Sequence, residues 1–308
     1  MQRLIIDTDT ASDDAVAILM ALRSPEVRVE AITIVAGNVP VEMGARNAGY
    51  TAELCGQEVP IYIGCERPLV REPYWAFFFH GPDGMGGMNL PPPRRPPESE
   101  HAVDALIRLV RSAPGELTLV TLGPLTNVAM ALREAPDIAG KVKQCVVMGG
   151  AACTVGNITP AAEYNIWVDP EAARIVLHSG MPILMVGWEH SRGPSALTEA
   201  EIEALYALGT PFARFAMDCN RSALEASMKW LGEPGLTLPD PVTMAIVLEP
   251  EVCTARGRHF VDTETGSELT RGMTVVDRLG VTGREPNVEV CWAIDPARWK
   301  AVLRRCLQ

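Results

Sequence analysis

Short apolar runs alternate along the chain with longer stretches in which apolar residues recur every three or four positions. Leu4 to Asp7 reads as a strand, and Asp13 to Leu22 as a helix with Ser12 at its N-cap. Val27 to Val35 is a β-branched strand, followed by a helix from about Val41 to Cys55 and a short strand at Ile61 to Ile63. His101 to Arg111 carries Val103, Leu106, Ile107 and Val110 at helical spacing. It leads into the strand Leu117 to Thr121 and the helix Leu125 to Leu132. Val142 to Met148 is strand, Pro170 to His178 helix and Pro182 to Val186 strand. Beyond this the pattern is mostly helical as far as Leu248, including a helix from Ala213 to Trp230. A hairpin (Arg258 to Thr263 with Glu268 to Val275), a strand at Val288 to Ala293 and a last helix complete the chain.

Continuous apolar strands separated by amphipathic helices predict an α/β fold. The expected form is an open, mostly parallel central sheet with helices on both faces, plus a helical C-terminal part. In such sheets ligands bind beyond the carboxyl ends of the strands. Asp7, Asp9, Asn38, Leu122-Gly123 and Gly149-Gly150 all fall there. No repeat and no shift of composition marks a boundary, so residues 1–308 are expected to form a single domain. Residues 67–100 interrupt the pattern with Phe77-Phe78-Phe79-His80, a glycine-rich turn from Gly81 to Gly87 and a proline tract from Pro91 to Pro97. A loop this long in a compact domain is usually functional or disordered. Its aromatic end is expected to be a mobile lid, and its proline end a stiff connection.

Composition narrows the function. The chain is 47% hydrophobic and 21% charged, an ordinary globular balance, and its net charge of −11 argues against a nucleic-acid or anionic-membrane surface. Met1-Gln2-Arg3 leads straight into a short strand rather than a signal-type apolar region, and no run approaches the roughly 18 residues that span a bilayer. A soluble, cytoplasmic protein is expected. The eight cysteines are scattered without a Cys-x-x-Cys pair, which reads as reduced thiols rather than a zinc site.

The densest chemistry lies at the end of the first strand. Asp7, Asp9, Asp13 and Asp14 put four carboxylates into eight residues, a cluster that repels itself at neutral pH unless a cation sits in it. Hard divalent ions take carboxylate oxygens. Asp13 and Asp14 have a structural explanation, because acids in the first turn of a helix gain about 0.3–1 kcal/mol from its dipole. Asp7 and Asp9 have none, and add to the same field.

The stretch Asp7-Thr8-Asp9 followed by Asp13-Asp14-Ala15-Val16-Ala17 resembles the N-terminal signature of the inosine–uridine-preferring nucleoside hydrolases. The resemblance runs along nearly the whole chain. It continues through Ile32 to Asn38, Gly81 to Gly86, Leu122-Gly123-Pro124-Leu125-Thr126-Asn127, Met148-Gly149-Gly150, Gly156-Asn157, Ala162 to Asn165, Asp169 to Ala173 and Asp240-Pro241. It implies the nucleoside hydrolase fold with its Rossmann-like core, and a Ca²⁺ enzyme that cleaves the N-glycosidic bond of ribonucleosides as a homodimer or homotetramer. By motif position, Asp9, Asp14 and Asp240 would bind Ca²⁺ through carboxylates and Leu122 through its carbonyl. Water and two ribose hydroxyls would complete the shell. Asp13 would be the general base, and Asp7 would orient the loop from behind. Asn38, Asn157 and Asn165 would hydrogen-bond the ribose, and Glu163 would accept from its 5′ hydroxyl. Asn157 alone is equally a turn residue after Gly156.

The base half departs from the pattern. Where purine-cleaving members carry a histidine before the last aspartate, this chain has Pro239, which cannot donate a proton. Ala223 and Ser227 fall near positions where several relatives carry tyrosine. His80 is the candidate for activating the leaving group, against the alternative of a surface loop histidine. Trp188, in Trp188 to Arg192, is a candidate to stack on the base, as is Trp230, against the alternative of core packing. A preference for substrates other than inosine is expected. Two other readings stay open. One is a ribose- or nucleoside-binding protein that has lost turnover, although binding alone needs no Asp13. The other is a Mg²⁺-dependent phosphatase of the haloacid-dehalogenase type, whose motif has Thr or Val where Ala11 stands.

Overall fold

On β1 (Gln2–Thr8) successive side chains point to opposite faces, so Leu4 and Ile6 enter one apolar layer and Ile5 the other, all fully buried. The computed structural model describes residues 1–232 and 234–308. Eight further strands join β1: β2 (Val27–Ile34), β3 (Ile61–Ile63), β4 (Leu117–Thr121), β5 (Gln144–Met148), β6 (Ile183–Val186), β7 (Cys253–Thr263), β8 (Thr274–Asp277) and β9 (Val288–Ile294). They form one sheet in the order β3-β2-β1-β4-β5-β6-β9-β7-β8. Neighbours from β3 to β9 are parallel, and β7 and β8 extend the sheet antiparallel.

One face is covered by the helices Ser12–Arg23, Val41–Leu54, Pro211–Cys219, Pro239–Leu248 and Pro296–Leu307, whose buried residues join Leu4, Ile6, Ile32 and Val120. The other is covered by Ala102–Ser112, Thr126–Glu134 and Pro170–Leu177, packed on Ile5, Leu119, Val147 and Met185. This is the sheet the apolar pattern predicts. At the β3 edge Glu98, just after the proline tract, donates its N–H to Ile61 O at 2.8 Å, and Pro93 packs on the helix Val41–Leu54, where a Cβ on Gly49 would meet it at 2.8 Å. The β8 edge carries exposed Val275, with exposed Leu269, Leu279 and Val281 around it. No described helix is long and apolar enough to cross a membrane.

Three local expectations change. Ser12 is the first residue of its helix rather than the N-cap, because its hydroxyl is engaged 2.8 Å from His80 Nδ1, and Asp14 Oδ2 instead accepts from Ala11 N at 2.9 Å. The expected helix Ala213 to Trp230 is three pieces, Pro211–Cys219, Arg221–Ala226 and a wide turn at Ser227–Leu231. The first break falls where the Asn220 amide reaches Ser12 O (3.2 Å) and Ala216 O (2.9 Å). The second hairpin strand is Thr274–Asp277 rather than Glu268 to Val275, since Glu264 Oε1 takes the amides of Gly266 and Ser267 and holds that stretch in a turn.

Candidate active site

The parallel strands deliver their polar ends to one side of the sheet. Asp7, at the end of β1, accepts from Thr33 Oγ1 (2.6 Å) on β2 and from Asn127 Nδ2 (2.9 Å) after β4. The same Asn127 amide donates to Ile34 O (3.0 Å), and its Oδ1 accepts from Cys65 N (2.8 Å). One asparagine thus ties the ends of β1, β2 and β3 together. Asp7 itself is fully buried.

Asp9 Oδ2 accepts from Asn38 N at 2.5 Å, while Oδ1 is buried without a partner among the described residues. Asp14 accepts from Thr8 Oγ1 (2.5 Å) and Ala11 N (2.9 Å). Asp240 arrives on the first turn of Pro239–Leu248, the helix that packs against Ser12–Arg23. One oxygen from each of Asp13, Asp14 and Asp240 lies within 4.8 Å of the others. The closest carboxylate trio therefore contains Asp13 as well as two of the residues expected as ligands, with Asp9 against Asp14.

The electrostatics are those of an acid cluster removed from water. Burial, then the charge of Asp14, pushes Asp13 up to about 8. Asp9 and Asp240 stand well above the ordinary carboxylate range, first from burial and then from acidic neighbours. Asp7 rises to about 7 through burial, against the hydrogen bonds from Thr33 and Asn127. Asp13 Oδ1 and Asp9 Oδ1 are both buried and orphaned. Buried unpaired carboxylate oxygens are costly, and a cation is what relieves them. An all-oxygen donor set fits a hard divalent ion.

A cleft beside the cluster is lined by Asp13, Asn38, His80, Leu122, Asn157, Glu163, Asn165, Trp188 and Asp240, so it gathers nearly every expected site residue. Asn165 Nδ2 donates to Leu122 O at 2.8 Å, which leaves that carbonyl one further lone pair. Glu163 caps the helix Tyr164–Val168: Oε1 accepts from Asn165 N (2.9 Å) and Oε2 from Gly150 N (2.9 Å). Asn157 Oδ1 accepts from Tyr164 N at 2.9 Å, so the residue is both a turn anchor and a cleft residue. His80 is buried, not a surface histidine; burial lowers it to about 3 and keeps the imidazole neutral. Its Nδ1 lies 3.8 Å from Asp13 Oδ1. Trp188 is buried, donates from Nε1 to Val155 O (2.8 Å) and carries the Arg192 guanidinium 4.5 Å from its ring centre.

Ala223 and Ser227 are buried and do not line the cleft. Trp230, Leu231, Thr237 and Pro239 form that wall, and Phe78 and Phe79 face it from the segment expected as a lid. Asn127, Thr33, Thr8 and Tyr164 are functional supports that sequence reading left without a role. Tyr164 Oη lies 2.8 Å from Gly37 O, a contact 127 residues apart.

A family model described as inosine-uridine preferring nucleoside hydrolase matches residues 4–301. The chain is 43% identical over 305 residues to an uncharacterized protein of Schizosaccharomyces pombe, covering 98% of this chain and 97% of the relative. It is 39% identical over 308 residues to the pyrimidine-specific ribonucleoside hydrolase RihA of Salmonella gallinarum, covering 99% and 98%. Among solved structures, a plant nucleoside hydrolase superposes with a TM-score of 0.94 at 33% identity over 99% of this chain and 98% of the other. The purine-preferring ribonucleoside hydrolase of Gardnerella vaginalis gives 0.92 at 31%, again over 99% and 98%.

Proposed function

Because this chain belongs to the inosine–uridine-preferring nucleoside hydrolase family and is a ribonucleoside hydrolase, we propose that it works with Ca²⁺, with Asp13 as general base and pyrimidine ribonucleosides as preferred substrates. The observation that carries this reading is the buried acid cluster, with orphaned oxygens on Asp9 and Asp13, opening on a cleft lined by Asn38, Asn157 and Asn165. Asp9, Asp14, Asp240 and the Leu122 carbonyl would hold the ion. When bound, Ca²⁺ supplies positive charge that lowers the pKa of water and fixes vicinal ribose hydroxyls.

Asp13 takes a proton from the attacking water, whose oxygen forms the new bond to the anomeric carbon. The glycosidic bond breaks with its electron pair leaving on the base nitrogen, and the sugar passes through an oxocarbenium-like state that the surrounding carboxylates stabilise. The three asparagine amides orient the sugar. Glu163 holds the Asn165 and Gly150 backbone in place, and its remaining acceptor capacity serves the 5′ hydroxyl. At the base, Pro239 offers no proton and His80 is neutral, so leaving-group help is limited to hydrogen bonding. That disfavours a purine, which departs best when protonated. The similarity to an enzyme named as pyrimidine-specific supports the same preference.

A panel of uridine, cytidine, inosine and guanosine, assayed by reducing-sugar release with and without a chelator, tests the proposal. Uridine or cytidine should be the best substrate, with chelation abolishing turnover and Ca²⁺ restoring it. Inosine as best substrate would overturn the base preference, and undiminished activity after chelation the metal. No turnover on any nucleoside would leave a binding protein of the same fold.

A further inference from the structure

Cys253 and Cys291 are 38 residues apart in sequence, yet their sulfurs lie 3.3 Å from each other. Cys253 opens β7 and Cys291 lies within β9, its antiparallel neighbour. In an unbroken ladder the two would not meet, since Cys253 stands opposite Ile294 and Cys291 opposite Arg256. Two register shifts fall between them, one between Cys253 and Ala255 and one between Ala255 and Arg256. Such irregularities re-aim the side chains beside them. Here both thiols enter one gap.

We propose that Cys253 and Cys291 form a redox-active dithiol that closes to a disulfide by exchange with a small external disulfide of the glutathione type. The two sulfurs differ as attacking and resolving thiols must. Cys253 is half-buried beside exposed Thr254 and Ala255, whereas Cys291 is buried. The hydrogen bond between the two thiols, aided by the Arg256 charge against the effect of burial, lowers Cys253 to about 7; the same bond and burial raise Cys291. The accessible, partly ionised sulfur is the nucleophile. Its thiolate attacks one sulfur of the external disulfide, forms a mixed disulfide and expels one thiolate. Cys291 then gives its proton to water, and its sulfur attacks Cys253 Sγ and expels the second thiolate. Two protein thiols are oxidised, and one external disulfide is reduced to two thiols. The sulfurs must close from 3.3 Å to about 2.05 Å.

The pair adjoins the cleft wall. His190 Nε2 lies 3.0 Å from the Cys291 carbonyl oxygen, and His190 belongs to the turn Trp188–Ser191, both ends of which line the cleft.

The full chain should be incubated with oxidised glutathione near pH 7, then denatured, alkylated and peptide-mapped. The alkylatable thiols should fall from eight to six, with the peptides of Cys253 and Cys291 joined. Cys291→Ser should keep a stable glutathione adduct on Cys253, and Cys253→Ser should give no internal bond. Oxidised wild type should also melt higher than reduced wild type, a difference absent from Cys253→Ser. Eight alkylatable thiols after oxidation, or an adduct that persists on wild-type Cys253, would overturn the proposal. So would pairing of Cys253 or Cys291 with another cysteine.

Discussion

As the proposed base, Asp13 would have to be ionised to accept a proton, yet burial and Asp14 hold it near 8. A divalent cation in the cluster inverts that situation, because its field favours every neighbouring carboxylate in the charged form. Asp13→Asn keeps the shape and removes the base. It should lower kcat by about 10²–10⁴-fold, the usual span for general base catalysis, while Ca²⁺ affinity by calorimetry stays within a few-fold. A parallel collapse of Ca²⁺ affinity would instead place Asp13 among the ligands, as its position in the closest carboxylate trio allows. Glu189 is a second informative acid. Burial raises it to about 7, and its Oε2 has no hydrogen-bond partner among the described residues. The folded state therefore holds this proton more tightly than the unfolded chain does. That stability is fully present below the unfolded value of 4.5 and is lost as pH rises through about 7. Glu189→Gln should gain on wild type across that window by up to about 3 kcal/mol and then level off. A pH-independent difference in thermal melting would refute this. The acid cluster was legible in sequence because it lies within eight residues of a strand end. The partners of Asp7 were not, because Asn127 is 120 residues away and nothing local announces it.

Among the elements, the loops after β2 and β4 leave little space around Asp9. A Cβ on Gly123 would stand 2.7 Å from Asp9 Oδ1, and one on Gly37 would overlap Asp9 Oδ2. Asp9 is thus clasped between two loops that have room only for glycine. Gly123→Ala should displace the carboxylate and weaken Ca²⁺ binding at least about tenfold, the lower range for changes to groups that orient metal ligands. The circular dichroism spectrum should be unchanged; wild-type Ca²⁺ affinity would show that the loop yields instead. Strands such as Leu117–Thr121 were readable to the residue from their apolar runs. The break after Cys219 was not, since it depends on Asn220 reaching Ser12 across 208 residues. A helical period cannot show that.

For the whole molecule, alternation of strands and helices was enough to give a parallel sheet covered on two faces, but not the order of its strands. The insertion of β9 between β6 and β7 reverses chain order and depends on pairings the periodicity does not encode. The two sheet edges also differ. Glu98, just after the proline tract, pairs with β3, while β8 has exposed Val275, with exposed Leu279 and Val281 just beyond it. Bare apolar edges invite pairing, which agrees with the expected homodimer or homotetramer. Light scattering should return a multiple of the 33.3 kDa chain mass, and Val275→Lys should reduce it. A wild-type mass of one chain would refute the expectation.

Asp240 sits on a helix that lies in sequence between β6 and β7, after six of the seven parallel strands have been made. During synthesis from the N-terminus, the carboxylates of Asp7 to Asp14 can therefore take their places before their last companion exists. The acid cluster is incomplete until that helix docks on Ser12–Arg23, and the docking brings one more carboxylate into it. An ion held through Asp240 as well as Asp9 and Asp14 would tie the end of the first strand to a helix made late in the chain, and its uptake would then report on folding as well as on function.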